Sequence, residues 1–131
     1  YEGVFKGNSE GLEAQWMTNY FAPFLLTRLL IPLLRKAADL DKDARIINVS
    51  SAAAYCLPSV DWHSAFDPSH FSFLGNYCQT KYALLLFTSQ LARRLAGLGI
   101  TVTAMEPGMV RTDITRSSSL ATLFAHGLLA N

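Results

Sequence analysis

Arg45-Ile46-Ile47-Asn48-Val49-Ser50-Ser51 is the stretch that decides the fold. It is short, β-branched and nearly continuous in apolar character, the pattern of a strand buried on both faces of a parallel sheet. Small residues, Ser51 to Ala54, end it. Outward from it on the C-terminal side, residues 57–75 are rich in Pro, Ser, Asp, His and aromatics. That composition predicts irregular, partly exposed structure able to cover a site. A helix is expected from Asn76 to Ala96, with Gly97 and Gly99 where a C-terminal cap belongs. Ile100-Thr101-Val102-Thr103-Ala104-Met105 reads as a second strand, broken by Glu106-Pro107-Gly108.

On the N-terminal side the first expected element is a long helix over residues 11–38. Leu12, Trp16, Tyr20, Phe24, Leu25, Leu29, Leu30 and Leu34 recur in helical steps. Pro23 and Pro32 fall inside it, so a kink or break is expected near them. Its apolar run from Phe21 to Leu34 contains Arg28 and is short of the roughly 20 residues a membrane span needs, so it reads as a buried helix. Residues 38–44 read as a loop, and the tail from Thr112 as loop with a short helix around residues 120–129.

Strands alternating with long helices predict an α/β fold with a parallel sheet and a right-handed crossover. Two strands are too little sheet for the apolar helix surface present. A piece of a larger α/β domain is therefore expected to be missing on the N-terminal side. The first residue is Tyr1, and the opening YEGVFKGNSEG has no signal-peptide pattern.

Composition narrows the function. The chain has 131 residues, 50% hydrophobic and 16% charged, with a net charge of +1. This is one globular domain's worth, with no basic footprint for nucleic acid. The two cysteines, Cys56 and Cys78, do not make a disulfide framework and mildly favour a reduced, intracellular setting. Asp61, His63, Asp67 and His70 match no usual metal-ligand spacing, so no metal is expected and they read as loop residues near a substrate entrance. Cys78 reads as a packed thiol. The stripe Leu84, Phe87, Leu91, Leu95 reads as core or a partner-facing surface.

The chemistry concentrates in Tyr77-Cys78-Gln79-Thr80-Lys81. Positions i and i+4 share a helix face, so a phenol and an ammonium can serve one site. A nearby fixed positive charge favours phenolate, which suits proton exchange with an alcohol or carbonyl. Tyr-x-x-x-Lys alone is common on exposed helices and needs context. Here the first strand ends in Ser50-Ser51 and the second in Pro107-Gly108-Met109-Val110-Arg111-Thr112. Ligands of open parallel sheets bind beyond the carboxyl ends of strands, so both strand ends and the helix face converge on one crevice. By themselves the serines could be caps, Pro107-Gly108 a plain turn and Asn19 a surface or buried polar residue.

INVSSAA, the Tyr77/Lys81 pair with its following apolar helix, EPGMVRTD, and Asn19 in TNYFAPFLLTRLLIPLL together resemble the short-chain dehydrogenase/reductase family over residues 16–113. YCQTKYALLLFTSQLARRL and the insert before it look most like its retinol-dehydrogenase-like branches, with the chromosome-X-type dehydrogenase/reductase members nearest. The resemblance implies a partial Rossmann-type, doubly wound parallel sheet whose N-terminal βαβ nucleotide-binding half is missing. Residues 1–131 would then be the C-terminal part of a single NAD(P)-binding domain. It implies Tyr77 as catalytic acid/base, Lys81 as the group that lowers the Tyr77 pKa and binds the nicotinamide ribose, and Ser51, in preference to Ser50, as the group that polarises the substrate oxygen. It further implies Asn19 as holder of a relay water, and Pro107, Gly108, Val110 and Thr112 as contacts to the nicotinamide end of the cofactor. NAD(P) is the implied cofactor, with NADP favoured. The implied substrate is a small hydrophobic alcohol or carbonyl, retinoid-, steroid- or polyprenol-like, for which Trp62, Phe66, Phe71 and Phe73 are suited. A homodimer and a cytoplasmic or endoplasmic-reticulum-membrane location, the latter through a missing N-terminus, are also implied.

The sequence departs from the family pattern in three respects: the acidic or basic residue that would choose NAD or NADP is absent, the Asn-Ala-Gly stretch ahead of the long helix is absent, and so is the glycine-rich turn. It holds no GxxxGxG or GxGxxG turn to cradle a pyrophosphate. The rival expectation is a non-catalytic product that binds a partner without cofactor.

Overall fold

The computed structural model describes residues 4–41, 43–57 and 59–108. In chain order these form a short helix α1 (Ala14–Trp16), a π-helical turn (Met17–Phe21), helix α2 (Ala22–Asp41) and strand β1 (Ala44–Val49). Three 3-10 turns follow (Ala52–Cys56, Trp62–Ala65, Pro68–His70), then helix α3 (Phe73–Arg94) and strand β2 (Ile100–Met105). β1 and β2 pair in parallel, from Ala44 opposite Ile100 to Val49 opposite Met105. The expected helix, strand, helix, strand order and the parallel sheet are present. The expected short helix near residues 120–129, and Val110 and Thr112, lie outside the described residues.

Helices α2 and α3 pack on one face of the sheet. Ile31, Leu34 and Ala38 of α2 meet Ala44 and Ile46 of β1, Phe87 and Leu91 of α3 with Leu95 at its C-terminal cap, and Ile100 and Val102 of β2. The α3 stripe is thus core. A second cluster joins Leu12 and Trp16 to Ala65 and Ala83, with Tyr20, Phe21 and Val60 around them. Trp16 is 0% exposed, and its indole N–H donates to Ser64 Oγ at 3.0 Å. A buried indole needs such a partner for its one polar atom.

Two expectations of burial fail. β1 alternates buried and exposed residues along its length instead of being covered on both faces, and Ile47 is 57% exposed. α2 is not a buried helix: Leu25, Leu29 and Leu33 are 58%, 66% and 64% exposed. The cause is one layer of packing. Only one sheet face and one stripe of α2 have a partner among the described residues. By length and composition the helical stretch from Ala14 to Leu40 is long and apolar enough to cross a membrane, but its inner stripe is engaged in the core.

Boundaries also shift. Residues 38–41, expected as loop, continue α2, and α3 begins at Phe73 rather than Asn76. Ser72 explains the latter, because its Oγ accepts from the Gly75 N–H at 3.3 Å and caps the helix. Of the two glycines after α3, Gly99 is the one held by its surroundings. Its φ is +69°, and a Cβ there would lie 3.1 Å from Ala38 Cβ, so the turn into β2 closes against α2.

The two proline positions behave differently from a simple break. Pro32 sits inside α2 without ending it. Pro23 is the second residue after the π-helical turn, and the Ala22 N–H between them bonds back to Met17 O, five residues earlier. A proline ring clashes with the carbonyl four residues before it. Widening the helix to π spacing there relieves that clash, and π turns concentrate at functional positions. Asn19 lies at the centre of this turn.

These contacts predict a contrast. Trp16→Ala should destabilise the chain by about 3–5 kcal/mol, while Leu26→Ala, on the uncovered face, should change stability by no more than about 0.5 kcal/mol. Urea unfolding followed by circular dichroism measures both.

Candidate functional site

Lys81 is the pivot of the site. Its ammonium donates to the Val49 carbonyl, the last of β1, at 3.1 Å. Its own backbone carbonyl accepts from Ser50 Oγ at 3.1 Å. The residue is therefore held at both ends by the strand terminus. Burial lowers the Lys81 pKa from its ordinary value of 10.5. The ammonium lies 5.8 Å from the centroid of the Tyr77 ring, within cation–π range. The i, i+4 expectation for Tyr77 and Lys81 is met in geometry.

The strand end is fastened to α3 at a further point. Asn48 Nδ2 donates to Thr88 Oγ1 at 2.8 Å, and Thr88 Oγ1 donates to Leu84 O at 2.7 Å. A polar residue inside the apolar run IINV was the available signal for this tie. The two serines separate in role. Ser50 is buried and its hydroxyl proton is committed to Lys81 O. Ser51 is half-buried, and its Oγ accepts from the Ala53 N–H at 3.2 Å, which caps the following 3-10 turn. Among the described residues no hydrogen bond uses the Ser51 O–H, so the proton available for donation is that of Ser51 rather than Ser50.

Asn19 reaches the same helix by a different route from the expected one. Its Nδ2 donates to Thr80 Oγ1 at 3.1 Å, and Thr80 Oγ1 donates to Tyr77 O at 2.8 Å. The amide thus engages the neighbour of Lys81. Pro23, which has no N–H, stands just past the π turn that carries Asn19.

Beneath Tyr77 lies a buried network that the sequence did not announce. Glu13 caps α1 by accepting from the Gln15 and Trp16 N–H groups at 2.9 and 3.1 Å. Its Oε2 also accepts from Asn76 Nδ2 at 3.3 Å, and Asn76 Nδ2 donates to Ser64 O at 3.1 Å. Asn76 precedes Tyr77, so this network sets where the first turns of α3 sit. Its signal was faint: an acidic cap three residues before Trp16.

Pro107 and Gly108 follow β2 at the same edge, and both are exposed. Gly108 has φ +69° with open space where a Cβ would stand. The insert aromatics are less free than expected. Trp62 packs on Trp16 and Tyr20, Phe66 on Phe21, and Phe71 on Phe5. A hollow of about 220 Å³ is lined by Lys6, Glu13, Phe71 and Phe73, and does not include Tyr77 or Lys81. His63 and His70 lie with ring centroids 5.5 Å apart and planes tilted by 42°, and His70 Nδ1 hydrogen-bonds Asp61 Oδ2 at 2.8 Å. That bond holds the imidazole above, and the carboxyl below, their ordinary pKa values. Among the described residues no group of three or more such side chains could hold a metal ion.

A comparison with known families decides the assignment. The short chain dehydrogenase family model matches residues 5–122. The chain belongs to the short chain dehydrogenase family. It is 37% identical over 119 residues to human retinol dehydrogenase 12, covering 91% of this chain and 36% of that protein. It is 39% identical over 116 residues to human retinol dehydrogenase 13, covering 85% of this chain and 32% of that protein. The chain therefore spans about a third of the length of the curated relatives it matches. Among solved structures, an uncharacterised protein from Mycobacterium paratuberculosis superposes with a TM-score of 0.68 at 32% identity, covering 87% of this chain and 42% of that one. The Rossmann-type α/β reading of this short chain dehydrogenase thus stands.

Two measurements probe the site. Thr80→Val removes the hydroxyl between Asn19 and Tyr77 and should cost about 1 kcal/mol in chemical denaturation. Lys81 should titrate with a midpoint below 10.5 in NMR of lysine-labelled chain. The sign follows from linkage. A folded-state value below the unfolded one means the folded chain binds fewer protons, so stability rises as pH climbs from the Lys81 midpoint to 10.5. Lys81→Met should abolish that rise.

Proposed function

We propose that this chain carries the proton-transfer site of an NAD(P)-dependent oxidoreductase that interconverts a hydrophobic alcohol and its carbonyl. The observation that carries the reading is the Lys81 ammonium, fixed by the end of β1 and set against the Tyr77 ring at 5.8 Å. A bound nicotinamide would supply or accept the hydride. Everything else is work for the chain. The Tyr77 hydroxyl passes a proton to or from the substrate oxygen. The Ser51 O–H donates to the same oxygen and orients it. Lys81 has donors left beyond its bond to Val49 O and would hold the ribose hydroxyls. Asn19, at the centre of the π turn, would hold a water that returns protons towards Lys81.

The donor set fits the nicotinamide-ribose end of such a cofactor. Pro107 and Gly108 lie at the correct sheet edge for it, and Val110 and Thr112 follow in sequence. It does not fit the pyrophosphate, since the 131 residues contain no glycine-rich strand-to-helix turn. NADP is the cofactor to test first. Retinoids lead the substrate classes, ahead of steroids and polyprenols, because the relatives are named retinol dehydrogenases and the insert is aromatic. A homodimer and membrane attachment through a segment outside this chain belong to the same proposal.

A second reading concerns the 131 residues by themselves. The uncovered leucines of α2 and the bare sheet face of Ile47, Val49 and Met105 favour a chain that associates with other protein surface and holds no cofactor alone.

The experiments separate the two. Isothermal titration of the 131-residue chain with NADPH should give no measurable binding; tight binding would overturn the expectation of an incomplete cofactor site. In a chain extended to the length of its relatives, Tyr77→Phe should lower kcat by at least about 100-fold with the circular dichroism spectrum unchanged. Near-normal kcat would remove Tyr77 from the role given to it.

A further inference from the structure

Asp61 is the knot of the insert that precedes α3. Its N–H donates to Gln79 Oε1 at 2.6 Å, which ties it to α3 two residues past Tyr77. Its carbonyl accepts from Ser64 Oγ at 2.8 Å. Ser64 in turn accepts from the Trp16 indole and, through its own carbonyl, from Asn76 Nδ2. The Asp61 carboxylate serves two groups. Oδ1 accepts from the His63 N–H at 3.0 Å and so caps the turn Trp62–Ala65, while Oδ2 meets His70 Nδ1 at 2.8 Å. His70 closes the next turn, Pro68–His70. One side chain thus joins both turns, and the backbone of the same residue joins them to the helix carrying Tyr77.

We propose that the His70–Asp61 bond is a protonation-dependent clasp: charged His70 holds the turns Trp62–Ala65 and Pro68–His70 together against α3, and neutral His70 lets them loosen.

The groups around the imidazole fix the sign. Asp61 and His63 face it from the first turn, the two rings with centroids 5.5 Å apart. Asp67, which caps the turn of His70 itself, adds a second carboxylate, whose Oδ1 accepts from the Ser69 N–H and hydroxyl at 2.8 Å. On α3 the contact to Asp61 is the neutral Gln79. From the N-terminal segment, Lys6 and Glu13 line a hollow with Phe71, the residue after His70, and Glu13 is engaged by the N–H groups of α1 and by Asn76. The bond between them is the largest influence on both partners, raising His70 from 6.5 and lowering Asp61 from 3.8.

A raised folded-state value means that the folded insert binds the His70 proton more tightly than the open one. The contribution is complete below 6.5 and is lost as pH climbs through the raised His70 midpoint. On the acid side it is complete above 3.8 and is lost as pH falls through the lowered Asp61 midpoint. The clasp is therefore fullest between those two ordinary values. A neutral imidazole can still donate from Nδ1, but a charge-assisted bond is roughly twice as strong. The two side chains are 45% and 43% exposed, so solvent screens the pair and the stability of the whole chain moves little. The change is local, in the insert.

The test uses the 131-residue chain without substrate or cofactor, so it is independent of the oxidoreductase reading. Amide hydrogen exchange followed by NMR, corrected for its intrinsic pH dependence, gives opening constants for the Phe66 and Asp67 N–H groups, which bond the His63 carbonyl. From about pH 5.5 to about pH 8 these should rise about two- to fivefold, the range an exposed ion pair supplies. The amides of β1 and β2 should show no such step. The His70 ring should titrate with a midpoint above 6.5 in the same sample. In His70→Gln the low-pH opening constants should already equal the high-pH values of the unsubstituted chain. A step that survives in His70→Gln would overturn the proposal, and so would opening constants that stay level in the unsubstituted chain while His70 titrates.

Discussion

Lys81 is gripped at both ends by the terminus of one strand, and the rest of the site depends on that grip. A partly buried ammonium needs a fixed partner to offset lost hydration. The Val49 carbonyl supplies one, and the Ser50 hydroxyl returns a bond to the Lys81 backbone. One residue thus aligns the axis of α3 with the end of β1. Tyr77, one turn earlier, takes its position from the same alignment, as does the register that brings Ser51 to the edge. The Asn48–Thr88 bond repeats the fastening two turns further along the helix. Three successive residues of β1 and its exit, 48 to 50, therefore hold α3 by polar bonds, where a purely apolar seam would permit sliding.

The N-terminal helix contributes by a different device. Its π turn lets Pro23 sit in a continuous helical rod, and the widened backbone presents Asn19 to Thr80. Trp16, one turn earlier, anchors the rod through Ser64 and the packing around Ala83. Glu13 and Asn76 then join the start of that rod to the start of α3. The two helices are locked together on the side away from the sheet core, at the level of Tyr77.

Local pattern explains what could be read from the residues. The β-branched runs at 46–49 and 100–103, the turn residues after them and the Tyr77/Lys81 spacing are properties of a few neighbouring residues. They define strands, a crossover helix and a shared face without knowledge of contacts. Burial of α2 and of β1 on both faces was misjudged for a related reason. Apolar sequence reports what a surface needs, not whether a partner is present to cover it. The α2 end at Asp41 was hidden because ADLD is polar, although an exposed last turn tolerates polar residues. The α3 start was hidden because Ser72 stands in a run already rich in turn formers. The Glu13–Asn76 and Trp16–Ser64 bonds span 63 and 48 positions, a separation at which no periodicity survives. The resemblance already prefers Ser51 to Ser50, and the structure adds that the Ser50 hydroxyl donates to Lys81 O.

The family assignment and the geometry support one another at the level of the strand ends. In the proposed reading the chain provides a place where a proton is exchanged, and the structure shows Lys81 held by the end of the strand. A high-resolution crystal structure of the chain tests this most directly, through the position of one side chain. The account predicts the Lys81 ammonium within hydrogen-bond distance of the Val49 carbonyl, on the Tyr77 side, with Ser50 Oγ on the Lys81 carbonyl. A Lys81 side chain extended into solvent, with Val49 O and Ser50 Oγ bonded elsewhere, would contradict it.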